Sequence, residues 1–470
     1  MSARSSHSTS LPAPAGYGWL LVSALFILLS VGVFNLIDRQ LEIDSTRTVL
    51  TRWLLHPGDA WIDSWAPMLD ALDWLHERHD GTVYQTIFFQ QHIKFQYPPT
   101  SLLPFAAMEA VGITPTPILL NELNWIWIAI TAVAMAVFCV TLAERSGAAA
   151  AGDLRLRALT ALTAVVATLT FFPVMIAYSL GQEQTWINAV FTLTALAWIY
   201  DRRLAAGALV GAICLLKPQF AVFLLWAILR RQWPFLLGWC VVVAVGGVAS
   251  IALFGLANNL DYLSVVRFLG DRGETHYYNQ SVNGLLNRLI SPADSLGSDQ
   301  GLPTKFPDHS ALVSYGTLLS SLALIAAALL LRGRKADRGG LLDFMTAALT
   351  FTIASPIAWI HHYGIILPIF AALLFALLAR GAPARDWGVW AVLAISYAIA
   401  ANLIYPANFT ANTPFNFIQS DLFFAGLALL WLLYRVSSPP RFEGASRGAP
   451  DGRGSATAGG FAAPTSAARR

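Results

Sequence analysis

Residues Asp38 to Gln96 read DRQLEIDSTRTVLTRWLLHPGDAWIDSWAPMLDALDWLHERHDGTVYQTIFFQQHIKFQ, and the chain then passes through Tyr97-Pro98-Pro99 into a new apolar run. The stretch is about sixty residues long, carries nine Asp/Glu, and follows directly on the apolar run 17–37. Loops of this length are uncommon without a function, and acidic groups are costly in lipid, so the segment is expected to build something at a membrane surface. The reading that decides the fold is a span, an excursion on one side of the bilayer, and a return. A catalytic site is the expectation for the excursion.

The rest of the chain agrees with that frame. Its 470 residues are 56% hydrophobic and 12% charged, with 16 Trp and a mean hydropathy of +0.57, more apolar surface than a soluble domain could hide. A polytopic, all-α membrane protein follows. Cys139, Cys214 and Cys240 all fall inside apolar runs, giving neither a disulfide framework nor a zinc pattern. The net charge of +3 and the short basic clusters between apolar runs suit a topology signal and no nucleic-acid partner. Residues 1–16 lack an apolar core with a cleavage site, so a disordered cytoplasmic leader and an uncleaved first span are expected. Residues 437–470, rich in Gly, Ala, Ser, Pro and Arg, are expected to be a disordered cytoplasmic tail, leaving 17–436 as the membrane domain.

Apolar runs fall near 17–37, 124–143, 156–178, 184–200, 204–217, 218–230, 232–257, 310–332, 341–357, 362–380, 386–405 and 421–435, about twelve spans. The basic connections holding Arg145/Arg155/Arg157, Arg202/Arg203, Arg230/Arg231, Arg332/Arg334/Lys335/Arg338 and Arg380/Arg385 then face the cytoplasm of an inner, plasma membrane, with both termini inside. Only about 26 residues separate Arg203 from Arg230, so the chain must turn back between them, at Lys217-Pro218 on the outer side. The same parity makes 100–113 a re-entrant or surface-lying helix. Two long polar loops, 38–96 and 258–309, fall outside with 15 of the 27 Asp/Glu.

The residues able to do chemistry gather on that outer side. Met68 to Glu77 has apolar residues at helical spacing, and Asp63 stands just before the aromatic-Pro start of this amphipathic helix, where a carboxylate can act as general base on a hydroxyl. Asp44 and Asp59 compete for the role; any single loop acid is more often a solvated face. Ser355-Pro356-Ile357-Ala358-Trp359-Ile360-His361-His362 places two histidines after a helix-breaking Pro, suited to phosphate when protonated, though a lone His is more often structural. No further ligands stand at metal spacing, so no metal or cofactor is expected. Gly181-Gln182-Glu183-Gln184 and Asn279-Gln280-Ser281 with Asn287-Arg288 offer amides and a guanidinium for sugar hydroxyls and phosphate, against helix capping as the plain alternative.

Taken in order, the Asp-bearing first loop, Tyr97-Pro98-Pro99, Gly181-Gln182, Ala206-Gly207 with Gly211, Lys217-Pro218, Asn279-Gln280-Ser281 with Asn287-Arg288, and Ser355-Pro356 with Trp359 and His361-His362 resemble glycosyltransferase family 87 over roughly residues 17–436. These are GT-C membrane enzymes that include polyprenol-phosphate-mannose-dependent mannosyltransferases. The resemblance implies a GT-C-like helical bundle and an inverting sugar transfer outside the cytoplasm, from a polyprenyl-phosphate donor to a glycan or glycolipid acceptor, with the base in the first loop. Asp63 is then the base; Tyr97, Gln182, Lys217, Asn279, Gln280, Arg288, His361 and His362 are the donor- and substrate-binding candidates. An apolar groove for the polyprenyl chain is expected near 100–113. A secondary transporter would instead bury charges at mid-membrane and repeat its halves, which this chain does not; a lipid-linked-sugar flippase or ligase would share the outer site.

Overall fold

A computed structural model describes residues 16–41, 56–77, 80–150, 152–290, 295–296, 306–331, 339–381 and 386–436. Asp44, the loop 332–338, the tail 437–470 and all of the leader but Gly16 lie outside the described residues. Among the described residues, six helices are long and apolar enough to cross a bilayer: Gly18–Gln40, Pro117–Ser146, Trp233–Phe254, Ala311–Leu330, Ile360–Ala379 and Asn416–Arg435. The helices Leu154–Thr170 and Phe172–Ser179, bent by 51° where Pro173 removes a backbone donor, make a seventh if they form one span.

The expectation of about twelve spans is thus not reached by length, although every expected run is helical. Arg203–Leu216, Pro218–Leu229, Leu341–Ile353 and Trp387–Ala400 are apolar but short. At 1.5 Å per residue, fourteen residues reach about 21 Å, less than the roughly 30 Å hydrocarbon core. The protein is a multi-pass membrane protein; of these short helices Leu341–Ile353 is buried along its whole length, whereas only Leu393, Ser396 and Ala400 of Trp387–Ala400 are buried.

Aromatic packing fixes that arrangement. Trp198 stacks on Phe344 with centroids 4.8 Å apart, and Phe223, Trp226 and Phe235 complete a buried cluster. Gly207 lets helix Arg203–Leu216 approach Trp233–Phe254 until a Cβ would collide with the Phe235 carbonyl, a close approach that only a small residue permits. At one end Arg230 is buried on Asp343 at 2.7 Å and donates to the Leu329 and Ala328 carbonyls at 2.9 and 3.0 Å.

Two polar segments differ from expectation or refine it. The loop 258–309 is largely helical where described: Leu256–Arg272 and Val282–Ile290 are α-helices. The first loop docks on the former, with Asp261 accepting from Thr82 and Gln85, and Asn258 Oδ1 accepting from the Val83 N–H at 2.9 Å. After Tyr97-Pro98-Pro99 the chain makes a 3-10 turn, Pro99–Leu102, and a helix of only eight residues, Leu103–Ala110, packed on Trp233–Phe254. This segment is too short to cross, as the parity of the basic loops required.

Candidate active site

The first-loop residues Trp61 to Ser64 are fixed by a main-chain ladder to the turn after Phe172–Ser179. The amides of Trp61, Asp63 and Ser64 donate to the carbonyls of Ser179, Leu180 and Gly181 at 2.9, 2.9 and 3.1 Å. Gly181 adopts φ +63°, and a Cβ there would run into the Trp61 carbonyl, so the ladder needs glycine twice over. The helix Trp65–His76 starts immediately afterwards, as the apolar spacing indicated, and is anchored by the Trp65 indole donating to Asn121 Oδ1 at 2.8 Å. Asp63 is thereby held at the wall of a cavity of about 770 Å³.

Gln182 sets the orientation of the Asp63 carboxylate. Its Oε1 accepts from the Ser64 hydroxyl at 2.6 Å and the Tyr97 hydroxyl at 3.3 Å, so the amide NH2 is turned to donate to Asp63 Oδ2. Ser64 Oγ and Tyr97 OH stand 2.7 Å apart and close the network. Burial pushes the Asp63 carboxyl up to about 6, aided by the neighbouring charge of Glu274 and opposed by the Gln182 hydrogen bond and by Lys94 and Lys217. Lys94, also in the cavity wall, pairs with Glu274 at 2.7 Å. The sequence reading missed this pair, whose members lie 180 residues apart with no motif around either.

Lys217 reaches the same cavity from the break between Arg203–Leu216 and the 3-10 turn Pro218–Val222. Its ammonium lies 3.2 Å from His362 Nε2, 3.5 Å from Glu183 Oε1 and 4.9 Å from the centre of the Tyr97 ring. His361 and His362 line the cavity too, on the 3-10 helix Ile360–Ile365. His362 Nδ1 accepts from the Trp359 N–H at 3.2 Å, while His361 Nδ1 is buried without a hydrogen-bond partner among the described residues. Asp63, Tyr97, Gln182, Lys217, His361 and His362 therefore surround one space. Asp59 is exposed and outside the wall.

Asn279, Gln280 and Arg288 do not line it, contrary to expectation. Asn279 Oδ1 accepts from the Ala358 N–H at 3.1 Å and its amide donates to the Glu274 carbonyl at 3.0 Å. Gln280 donates to the carbonyls of Tyr277 and Gln419 at 2.6 and 2.7 Å and accepts from the Phe423 N–H at 2.9 Å. Arg288 is fully buried, donating to the carbonyls of His276 and Asn279 at 3.1 and 3.0 Å and to Ser420 Oγ at 2.6 Å. These side chains satisfy backbone groups of irregular segments that no helix could pair. They carry the histidine segment, since the Gln280 N–H donates to the Ala358 carbonyl at 2.7 Å and the Ile360 N–H to Tyr278 at 2.9 Å.

Away from these polar groups the cavity becomes apolar, walled by Leu216, Pro218, Val222, Ile325, Phe351 and Ala354. No residue of 100–113, where a groove was expected, lines the cavity; its apolar part lies between the helix break at Lys217 and the helices Ala311–Leu330 and Leu341–Ile353. Among the described residues no three His, Cys, Asp or Glu side chains are grouped as metal ligands.

The model of glycosyltransferase family 87 matches residues 95–356, more than half of the chain. The chain belongs to glycosyltransferase family 87. The matched stretch holds Tyr97, Gln182 and Lys217; Asp63 precedes it and the His361-His362 pair follows it, so it is the fold that joins them to the family's stretch. A polyprenol-phosphate-mannose-dependent alpha-(1-2)-phosphatidylinositol mannoside mannosyltransferase of Mycolicibacterium smegmatis is 31% identical over 206 residues, 42% of each chain. The alignment thus spans less than half of that relative's length. A polyprenol-phosphate-mannose-dependent alpha-(1-2)-phosphatidylinositol pentamannoside mannosyltransferase of Mycobacterium tuberculosis is 27% identical over 329 residues, 67% of this chain and 68% of the relative. No solved structure matches this family 87 member.

Proposed function

We propose that this family 87 protein transfers a hexosyl unit, mannosyl by analogy with its relatives, from a polyprenyl-phosphate donor to a glycan or glycolipid hydroxyl on the extracytoplasmic face of the plasma membrane. The observation that carries the reading is the single cavity in which the Asp63 carboxylate, the Lys217 ammonium and the histidine pair adjoin an apolar groove. A lipid-linked sugar needs this combination: a base for the acceptor, cationic or donor groups for the departing phosphate, and a dry channel for the polyprenyl tail. Both relatives carry a polyprenol-phosphate-mannose dependence in their names.

In this reading Asp63 takes the proton of the acceptor hydroxyl as its oxygen bonds to the anomeric carbon. The bond from that carbon to the phosphate oxygen breaks with inversion, and polyprenyl phosphate leaves with the electron pair toward Lys217, His361 and His362. Tyr97 and Gln182 hold the base in place. The topology follows the basic loops: both termini in the cytoplasm, Asp63 outside.

The test is transfer of radiolabelled mannose from polyprenyl-phosphate-mannose to lipid acceptors in membranes containing the wild-type protein or Asp63→Asn. Label transfer by the wild type and its loss in the variant support the reading. Movement of the intact donor across sealed vesicles without transfer would replace it by the flippase alternative.

A further inference from the structure

We propose that Glu183 is the positioning residue of the phosphate subsite, holding the Lys217 ammonium charged and turned to the cavity while no phosphate is present. The inference rests on the reading of Lys217 as the cation that meets the donor phosphate. Glu183 is fully buried at the start of helix Gln184–Ile199, where the aligned amides favour an anion. Neither of its carboxylate oxygens has a hydrogen bond among the described residues, and its charge partner there is Lys217 at 3.5 Å. A buried carboxylate in that state is costly to keep, and a glutamine would fill the same volume more cheaply. Burial raises the Glu183 carboxyl to about 7 and Lys217 opposes the rise, so the anion is present chiefly from neutrality upward, where the ammonium most needs it.

The surroundings of Lys217 show the use. His362 Nδ1 accepts a backbone N–H, so the neutral ring carries its proton on Nε2 and aims an N–H at the ammonium 3.2 Å away. That contact disfavours the charge. The Tyr97 ring face at 4.9 Å favours it modestly, His361 shares the wall, and Asp63 acts from further off. Glu183 is the near anion that balances His362. It does not line the cavity whereas Lys217 does, so a phosphate arrives with the ammonium between it and the carboxylate. Because charge interactions fall with distance, the attraction to Lys217 then outweighs the repulsion by Glu183.

Without Glu183 the ammonium loses the anion that favours its charged form, and phosphate binding weakens increasingly as pH rises. The experiment measures binding of farnesyl phosphate to the full-length protein in lipid nanodiscs between about pH 6.5 and 9, with the wild type recording the probe's own titration. Since one pKa unit is a tenfold change in population, Glu183→Gln should bind about threefold more weakly than wild type at the low end and roughly thirtyfold more weakly at the high end. Adding Lys217→Arg should flatten that widening gap, because a guanidinium stays charged throughout. A gap constant with pH, tighter binding by Glu183→Gln, or a gap that persists with arginine overturns the proposal. If the amide variant does not fold, Glu183→Asp, which withdraws the anion, should widen in the same sense by less, and no widening would overturn the proposal equally. Lys217→Gln separates the two levels: wild-type binding by it removes the phosphate role of Lys217, whereas weak binding by it with wild-type behaviour of Glu183→Gln removes the role of Glu183 alone.

Discussion

Lys217, at a helix break, and Arg288, on the helix Val282–Ile290, are both buried cations in short motifs, yet they face opposite ways. Arg288 donates to the carbonyls of His276 and Asn279 and to the Ser420 hydroxyl, within polypeptide on every side. Lys217 has a carboxylate, an imidazole and an aromatic face around it and still reaches the cavity. The same division separates Asn279 and Gln280, which brace backbone, from Gln182, which presents an acid to the open space. A polar group satisfied by main chain is a fastener; one held by other side chains at a cavity wall is available for a ligand.

Asp63→Asn tests the cavity side of that contrast most severely. The amide keeps the shape but cannot take a proton, so transfer should fall by about 10²–10⁴. The variant should melt no lower than wild type, because burial disfavours the Asp63 charge that the substitution removes. The sign follows from the raised value: a carboxyl at about 6 in the fold against 3.8 otherwise costs stability as pH rises through that window, and asparagine escapes the cost. A melt far below wild type would make Asp63 a fastener like Arg288.

Arg288→Ala tests the other side. It strands buried carbonyls and a hydroxyl, each costing about 1–3 kcal/mol, so the thermal melt of the purified protein should drop sharply. The fraction that remains folded should keep donor KM within about twofold of wild type, since a loss of less than about 0.5 kcal/mol in binding is what an uninvolved residue gives. A large rise in KM without a change in melting would return Arg288 to the phosphate site.

Gln182→Ala should produce a smaller effect, read in the pH profile of kcat/KM. The wild-type profile should rise through about pH 6 as Asp63 loses its proton. Gln182 donates to the carboxylate and favours its charged form, so its removal should move that limb to higher pH and lower the plateau by about tenfold through the loosened base. An unmoved limb would show that another group is titrating.

How much of this was legible follows from the same contrast. The helix break at Lys217-Pro218, the amphipathic helix after Asp63 and the short segment after Tyr97-Pro98-Pro99 are local matters of proline, periodicity and length, and the sequence carries them. The assembly of Asp63, Gln182, Lys217 and the histidines was reached through the side of the membrane each motif should occupy. Direction was not legible. Arg288 and Asn279-Gln280 look as suited to a ligand as Lys217 and Gln182 do, because residue type does not say whether a carbonyl or a cavity lies in front of it. Lys94–Glu274 was hidden for the same reason, being a pairing between distant segments, and so was the approach of the Glu183 carboxylate to Lys217. The helices Leu256–Arg272 and Val282–Ile290 escaped because their polar composition reads as loop; the first loop packs against the former.

The smallest expected effect belongs to Asp59→Asn, and it decides whether proximity in sequence or the ladder of backbone bonds makes the base. Asp59 lies four residues before Asp63, ends the 3-10 turn Pro57–Asp59, and is exposed outside the cavity wall. The ladder that fixes Asp63 begins only at Trp61. A water-exposed carboxylate outside the cavity has no reason to meet an acceptor hydroxyl, and surface substitutions usually change stability by about 0.5 kcal/mol or less. Transfer and melting should therefore stay at wild-type levels in the assay where Asp63→Asn fails. If Asp59→Asn abolishes transfer while Asp63→Asn does not, the acceptor approaches from outside the cavity, and the division between facing inward and facing the cavity no longer identifies the working groups.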